Sequence, residues 1–210
     1  MGHFDLAVRV LMLSYAFDVL DGWLARRYGG STREGLMLDR AFDRVSQVLA
    51  PLALYTAWYT STPHTRVDEA LLAAYASGLV AVAFWRLVRR IVWTLQYFAG
   101  LPMFAHAGVL LLSYIAKSPV HPALLLALLL ASAVPIPYLR RLTPKSSTPS
   151  PATPARLAIV LALAIIPYNS HIVAAAARAL LAAIIAYAIA GPIPPLLWRR
   201  KTKTPPPQQS

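Results

Sequence analysis

The sequence predicts an all-α integral membrane protein, a polytopic bundle of about six or seven apolar helices. Apolar residues fill 58% of the 210 positions and the mean hydropathy is +0.54, whereas about 45–50% is usual for a soluble domain. Several apolar segments approach the roughly 20 residues that cross a bilayer as a helix. Strand-like alternation is scarce, which favours helices over a barrel.

Basic side chains occur in short clusters between the apolar segments. The net charge is +12, but the clusters do not form a long stripe interleaved with aromatic residues, so we expect no nucleic-acid partner. They recur where alternate helix ends should reach the cytoplasm, which predicts a multi-pass protein of the cell membrane with its active site facing the cytoplasm. The clusters are Arg26, Arg27 and Arg33; Arg89 and Arg90; Arg140, Arg141 and Lys145; and residues 199–203. Cysteine is absent, which excludes disulfides and thiolate metal sites.

Glycine, proline and short polar stretches divide the first two thirds of the chain into five predicted helices. Helix one ends at Gly29 and Gly30, which tolerate the positive φ of a helix stop. The connection between helices four and five is short, as in an antiparallel hairpin. The five helices span residues 5–28, 35–59, 68–95, 103–116 and 122–139.

A segment rich in Pro, Ser and Thr separates this region from further apolar sequence. The apolar sequence is broken at Pro167, Tyr168 and Asn169 and could form one kinked helix or a hairpin. Basic residues on both sides require an even number of crossings, which favours the hairpin. The predicted division is a membrane core at 1–140, a cytoplasmic linker at 141–155, an additional transmembrane helix or hairpin at 156–198, and a basic, disordered tail at 199–210.

Four of the eight acidic residues cluster within 26 positions of the first two helices: Asp18, Asp21, Asp39 and Asp43. One carboxylate in a membrane helix costs about 2.5–3.5 kcal/mol, so four together need a cation or a functional cavity. Oxygen ligands suit magnesium, manganese or calcium. Spacings of three and four residues place each pair of carboxylates on one face of its helix.

Small residues continue the two acidic faces. Gly22, Ala25 and Gly35 leave room for a phosphorylated ligand to approach the backbone. In the alternative interpretation, the carboxylates only form interfacial salt bridges with Arg26 or Arg44. The register of four carboxylates with the small residues favours a pocket built around a diphosphate.

These residues resemble the signature of the CDP-alcohol phosphotransferase (CDP-alcohol phosphatidyltransferase) family, D(x2)DG(x2)AR(x8)G(x3)D(x3)D. The signature covers only the first two helices, and helices three to five fit the family's bundle by length alone. Every specified position is satisfied, by Asp18, Asp21, Gly22, Ala25, Arg26, Gly35, Asp39 and Asp43.

The resemblance implies a metal-dependent transferase of phospholipid biosynthesis. A phosphatidyl or archaetidyl group would pass from a CDP-linked lipid to a polar alcohol acceptor, with CMP as the leaving group. Asp18, Asp21 and Asp39 would hold two Mg²⁺ or Mn²⁺ ions, and Asp43 would lie near the second ion. The CDP portion would contact Gly22, Ala25, Arg26, Gly35 and, in the turn between the half-motifs, Thr32. A homodimer in the bilayer is also implied.

The general base in this interpretation is Asp43. Its carboxylate would take the proton of the acceptor hydroxyl as the hydroxyl attacks phosphorus, while the metals neutralise the diphosphate.

The family usually has a transmembrane helix before the signature, whereas 17 residues precede Asp18 here. Either the start is misassigned, or the apolar region 155–190 fills that place in the bundle. We take the second as a hypothesis.

Helix three carries Arg86, Arg89 and Arg90 at the predicted depth of the aspartates. Three guanidinium groups there could clamp an acceptor phosphate. For Arg89 and Arg90 the alternative is that they anchor the helix end by snorkelling. A clamp suits inositol phosphate or glycerol phosphate. The Asp43 and Arg44 pair resembles the inositol-phosphate branch, so inositol phosphate is the predicted acceptor.

Two other classes of protein are considered. A cation transporter lined by the four aspartates would not need the small residues in register, and no broken helices recur in matching halves. A catalytically inactive membrane scaffold would not need the intact aspartates. The histidines His106, His121 and His171 lack metal-ligand spacing to one another, so we expect packing roles for them.

Overall fold

The computed structural model describes residues 2–28, 34–35, 38, 42, 45–92, 98–134, 137–138, 153–168 and 170–190. Within these residues the fold is helical, as predicted, apart from one pair of two-residue strands. Seven α-helices are present in the described part: α1 (Gly2–Tyr28), α2 (Ala50–Thr60), α3 (Arg66–Val92), α4 (Met103–Ile115), α5 (Pro122–Ala133), α6 (Thr153–Ile165) and α7 (His171–Ala190). A five-residue π-helical segment, Val45–Leu49, leads into α2. The strands β1 (Phe98–Ala99) and β2 (Pro137–Tyr138) pair antiparallel.

The helices alternate in direction. Contacts between them show this, because the starts of α1, α3 and α5 lie at the same end of the bundle as the ends of α4 and α6. Asp5, in the first turn of α1, accepts a hydrogen bond from the hydroxyl of Tyr114 near the end of α4. His121, at the start of α5, lies 3.2 Å from the carboxylate of Asp68 in the first turn of α3. The end of α6 reaches the side chain of Arg9 on α1. This end of the bundle is opposite to the end of α1 that carries the aspartates.

Helix packing makes the two C-terminal helices part of the bundle. Helix α6 lies along α1, α7 lies along α4, and α3 lies along α5. Glycines allow close approach at two crossings: a Cβ built on Gly78 would lie 2.5 Å from Leu129, and one on Gly108 would lie 2.8 Å from Ile184. The apolar region after residue 153 therefore packs against the helices of the first two thirds of the chain.

The outer surface of the bundle is strongly apolar. Large side chains such as Phe17, Trp85 and Ile172 are 66%, 66% and 80% exposed, which a soluble protein avoids over extended areas. Among the described residues, Arg66–Val88 and His171–Ala190 form helices long and apolar enough to cross a bilayer. Helices α4 and α5 are apolar but shorter. These features are those of a helical membrane protein.

The structure corrects several predicted helix ends. The fifth helix does not continue to residue 139 but ends at Ala133, and Val134 is extended with ψ of 134°. Val134 precedes Pro135, and a residue before proline is disfavoured in helical conformation. Helix α3 begins at Arg66 rather than 68, because the hydroxyl of Thr65 caps it by accepting a hydrogen bond from the Asp68 amide at 3.2 Å.

Two further starts lie earlier than predicted. Helix α1 begins at Gly2, so that Asp5 falls in its first turn, where a carboxylate is favourable. Helix α6 begins at Thr153, inside the predicted linker, because proline at position 154 is tolerated in the first turn of a helix. The predicted break around Pro167 is confirmed, since α6 ends at Ile165 and α7 starts at His171. The predicted tail, residues 199–210, lies outside the described residues.

Candidate active site in the groove along α1

Two carboxylates of the signature lie on one exposed face of α1. Asp18 and Asp21 stand three residues apart, so their side chains leave the helix on the same side. Both line a groove that Gly35 also lines. Gly22, the next residue of the signature, is half-buried in α1. The structure thus brings together the first two predicted metal ligands and one of the predicted small residues.

The groove is large and mostly apolar. It has a volume of about 1110 Å³ and follows α1 from His3 to Asp21, a rise of about 27 Å at 1.5 Å per residue. Apart from His3 at the far end, its polar side chains lie towards the aspartates, and the remaining walls are mainly hydrocarbon. The apolar lining comprises Phe4, Leu6, Ala7, Val10, Leu11, Phe17, Leu38, Phe42, Val45, Ala50, Ala53 and Leu54.

A tyrosine that the sequence did not single out ties the two walls of the groove together. The hydroxyl of Tyr15 on α1 donates a hydrogen bond of 2.9 Å to the carbonyl of Ser46. Ser46 belongs to the π-helical segment, and its own hydroxyl donates to the Phe42 carbonyl at 3.1 Å. Short π-helical segments are frequent at functional sites. The sequence offered one signal for this role, since Tyr15 lies one helical turn before the pair Asp18 and Asp21.

Several predicted site residues lie outside the description. Asp39, Asp43 and Thr32 fall outside the described residues, as does Arg44. Ala25 and Arg26 lie in α1, but their side chains are not described. The proposed nucleotide contacts and the general base therefore stay predictions.

The predicted acceptor arginines all lie in the last turns of α3. Arg86 is half-buried and donates hydrogen bonds to the carbonyls of Leu101 and Gly100, the latter at 3.3 Å. Gly100 needs to be glycine, because its φ is +81° and a Cβ would lie 2.3 Å from the Ser132 carbonyl oxygen. Arg86 therefore anchors this corner of the chain. The side chains of Arg89 and Arg90 lie outside the description.

A buried polar chain continues from this corner into the bundle. The Ser132 hydroxyl donates to the Leu101 carbonyl at 3.1 Å and lies 2.7 Å from Nε2 of His106. Nδ1 of the same imidazole lies 3.1 Å from the Tyr75 hydroxyl. His106 is fully buried with both ring nitrogens in hydrogen bonds. It therefore has a packing role, as expected.

The donor chemistry at the aspartate end fits a hard divalent cation. Carboxylate oxygens of Asp18 and Asp21 are the kind of ligand that Mg²⁺ and Mn²⁺ prefer. Within the described residues no three His, Asp or Glu side chains lie close enough to form a complete metal site, and Asp39 and Asp43 fall outside that description.

Comparison with known proteins identifies the class to which this helical bundle and its acidic groove belong. The sequence profile of the CDP-alcohol phosphatidyltransferase family matches residues 1–137, so the protein belongs to that family. The chain is also similar to a phosphatidylinositol phosphate synthase of Corynebacterium glutamicum, with 29% identity over 82 residues. That match spans 38% of this chain and 37% of the relative. No solved structure matches the chain.

Family membership and the apolar helices support a membrane transferase of phospholipid biosynthesis. The match ends before α6 and α7, so these helices lie beyond the part of the chain that the family defines.

Proposed function

We propose that this protein transfers a phosphatidyl or archaetidyl group from a CDP-linked lipid to inositol phosphate and releases CMP. The acceptor hydroxyl attacks the phosphorus that carries the lipid, the bond from that phosphorus to the CMP oxygen breaks, and the hydroxyl proton passes to a carboxylate. The observation that carries the proposal is the groove along α1, which is acidic at one end and apolar along its length.

The groove suits an amphiphilic substrate. Asp18 and Asp21 lie at one end, where a diphosphate needs cations and polar groups, and mainly hydrocarbon walls extend about 20 Å along α1, from Phe17 to Phe4. The hydrocarbon walls would accommodate lipid chains without burying polar groups against them. A soluble nucleotide has no hydrocarbon chain that could contact the apolar part of the groove.

The four aspartates supply the charge and the base. We assign Asp18, Asp21 and Asp39 to two divalent cations, with Asp43 beside the second, as the family signature implies. When bound, the cations would neutralise the diphosphate and stabilise charge on the departing CMP. Asp43 accepts the proton of the acceptor hydroxyl, and because a carboxylate is a weak base at neutral pH, the hydroxyl must be held in line with the breaking bond. Gly22, Ala25, Arg26, Thr32 and Gly35 would bind the CDP portion.

The acceptor phosphate is assigned to the end of α3. Arg86, Arg89 and Arg90 are spaced so that they share one side of that helix, and Arg86 is held in place by the Gly100 and Leu101 carbonyls. Guanidinium groups bind phosphate through paired hydrogen bonds. The similarity to a phosphatidylinositol phosphate synthase favours inositol phosphate over glycerol phosphate.

We place the aspartate end of the bundle at the cytoplasmic side of the cell membrane. The basic clusters near residues 26–33, 89–90, 140–145 and 199–203 then all fall on that side if each helix crosses the bilayer once. The protein is proposed to act as a homodimer in the bilayer.

The proposal is tested by CMP release from purified full-length protein in detergent. CDP-linked diacylglycerol or dialkylglycerol is supplied with Mg²⁺, and inositol phosphate, glycerol phosphate, free inositol and serine are added separately. We expect release that requires inositol phosphate and Mg²⁺, is lost in Asp43→Asn, and is retained in Glu69→Gln, whose side chain lies in the first turn of α3 at the opposite end of the bundle.

Each contrary outcome has a defined meaning. Release with glycerol phosphate alone would keep the reaction and change the acceptor. A folded protein that releases no CMP with any of the four acceptors would refute the transferase.

A further inference from the structure

Arg9 binds the end of α6 from inside an apolar stretch of α1. Its Nη1 donates hydrogen bonds to the carbonyls of Ala164 at 2.6 Å and Ile165 at 3.0 Å, and its Nη2 donates to the Ile166 carbonyl at 3.0 Å. These are the last residues of α6 and the first of the turn that follows. One guanidinium therefore serves three consecutive carbonyls.

The contact satisfies two groups that would each be costly alone. The last four carbonyls of a helix lack partners within it, and they form the negative end of its dipole. An arginine cannot lose its charge in a protein, and leaving it unpaired among apolar helices is costly. The guanidinium supplies donors to the carbonyls, and the carbonyls supply acceptors to the guanidinium, so the contact should persist.

An aromatic ring completes the contact. The guanidinium carbon of Arg9 lies 4.9 Å from the centre of the Tyr168 ring, which is 1% exposed. Burial raises the pKa of the Tyr168 phenol, although Arg9 opposes the shift, so the phenol stays neutral near pH 7. The ring therefore contributes a cation–π interaction rather than an ion pair. We call these four α6 and turn residues together with Arg9 the Arg9 clasp.

The clasp lies on the back of the groove wall. Nine residues separate Arg9 from Asp18, which at 100° per residue places them about 180° apart around α1 and about 13 Å apart along it. Met12 and Ala16 follow Arg9 on the same side and are buried. Helix α6 packs along α1, whereas the groove residues Ser14 and Asp18 face the other way.

We propose that Arg9 is a positioning residue of the transferase, because by docking α6 onto the back of α1 it holds in place the wall that carries Asp18 and Asp21. The inference rests on the proposed function. It assigns a role in that function to helix α6, which lies beyond residues 1–137 that match the family.

The kinetic test compares three variants of the full-length protein. Arg9→Met removes the clasp, Arg9→Lys keeps the charge but offers one nitrogen for three carbonyls, and Arg178→Met is the matched control. Arg178 is exposed on α7 and donates to the Ala174 carbonyl of its own helix. We expect kcat for CMP release to fall by about tenfold or more in Arg9→Met, since small misplacements of reacting groups are costly. The kcat of Arg9→Lys should lie between those of Arg9→Met and the wild type, and the kcat of Arg178→Met should match the wild type.

The division between kcat and KM separates positioning from loss of fold. The apolar walls of the groove remain in Arg9→Met, so KM for the CDP-linked lipid should stay within about threefold while kcat falls. An equal loss of kcat in all three variants, or an unchanged kcat in folded Arg9→Met, would overturn the proposal.

A labelling measurement reports the docking without any activity. The chain has no cysteine, so Ala16→Cys, at a position 4% exposed, and Leu13→Cys, at a position 40% exposed, can be compared for their rate of reaction with a maleimide. We expect Ala16→Cys to be protected in the wild-type background and to react nearly as fast as Leu13→Cys once Arg9→Met is added. In the Tyr168→Leu background, the reaction rate of Ala16→Cys should increase by a smaller amount. This background replaces Arg9→Met if Arg9→Met fails to fold.

The labelling rate and CMP release together distinguish a failure of the docking role of Arg9 from a failure of the proposed function. Continued protection of Ala16→Cys in the Arg9→Met background would overturn the docking role. A wild type that releases no CMP but loses protection in Arg9→Met would overturn the proposed function, and with it the catalytic consequence, while the clasp itself would stand.

Discussion

The hydroxyl of Tyr15 lies 2.9 Å from the carbonyl oxygen of Ser46, and this bond joins α1 to the π-helical segment that follows the aspartate signature. Tyr15 precedes Asp18 by three residues, and Ser46 follows Asp43 by three. The bond is therefore about one helical turn from Asp18 along α1 and three residues in sequence from Asp43. It holds the α1 wall of the groove, which carries Asp18 and Asp21, at a fixed distance from the π-helical segment.

Tyr15→Phe should loosen that separation. Loss of the hydroxyl leaves the Ser46 carbonyl without this donor, which should lower the free energy of unfolding by about 0.6–1.5 kcal/mol. We expect kcat for CMP release to fall by about threefold or more, because α1 with Asp18 and Asp21 is no longer held against the π-helical segment. Thermal unfolding in detergent and initial rates measure the two effects. Tyr28→Phe, at a position 75% exposed, is the control and should change neither.

Asp18→Asn and Asp21→Asn should each abolish most of the activity. The amide keeps the shape of the side chain but removes the charge that a divalent cation requires. We expect CMP release to fall by at least about 100-fold, a loss typical of removing one group that stabilises the transition state. The fold should survive, because both side chains are exposed. Activity within tenfold of the wild type in either variant would argue against a metal site in this groove.

Gly100→Ala should be far more damaging than Gly78→Ala. The new Cβ at position 100 would meet backbone oxygens of Ser132 at 2.3 Å and Val134 at 2.8 Å, at a φ of +81°. At Gly78 it would meet only the end of the flexible Leu129 side chain. We expect a loss of at least about 2 kcal/mol at position 100 and less than half of that at position 78. Equal melting temperatures for the two variants would contradict the geometry at this corner.

His121→Ala should destabilise the protein without slowing the reaction. Its Nδ1 accepts a hydrogen bond from the Ala123 amide at 3.2 Å and so caps α5, while Nε2 lies 3.2 Å from Asp68. Loss of an N-cap costs about 1 kcal/mol. These contacts lie at the end of the bundle away from the aspartates, so kcat should be unchanged. A drop in kcat with unchanged stability would show that the two ends are coupled in a way that these contacts do not explain.

Local signals in the sequence predicted most helix boundaries and the face that carries Asp18 and Asp21. Pro167 marked the break between α6 and α7 because proline and its neighbours interrupt backbone hydrogen bonding. The end of α5 was missed because the apolar residues run on past it, while the chain turns extended one residue before Pro135.

Contacts between distant residues could not be predicted in this way. Arg9 reads in the sequence only as a charge that interrupts an apolar segment, yet its partners lie 155 or more residues away. The π-helical turn at Val45–Leu49 depends on a choice between backbone hydrogen-bond patterns that side-chain spacing does not encode. Tyr15 likewise acquires its role only when Ser46 is placed beside it.

The long separation within the Arg9 clasp also has a consequence for biosynthesis. Ala164 is made 155 residues after Arg9, which at roughly 5–20 residues per second is a delay of about 8–30 s. During that interval α1 must enter the membrane before the carbonyls of α6 are available to the Arg9 guanidinium. The groove wall can therefore be completed only after α6 has been translated, so a chain that stops before α6 should leave Arg9 without its carbonyl partners.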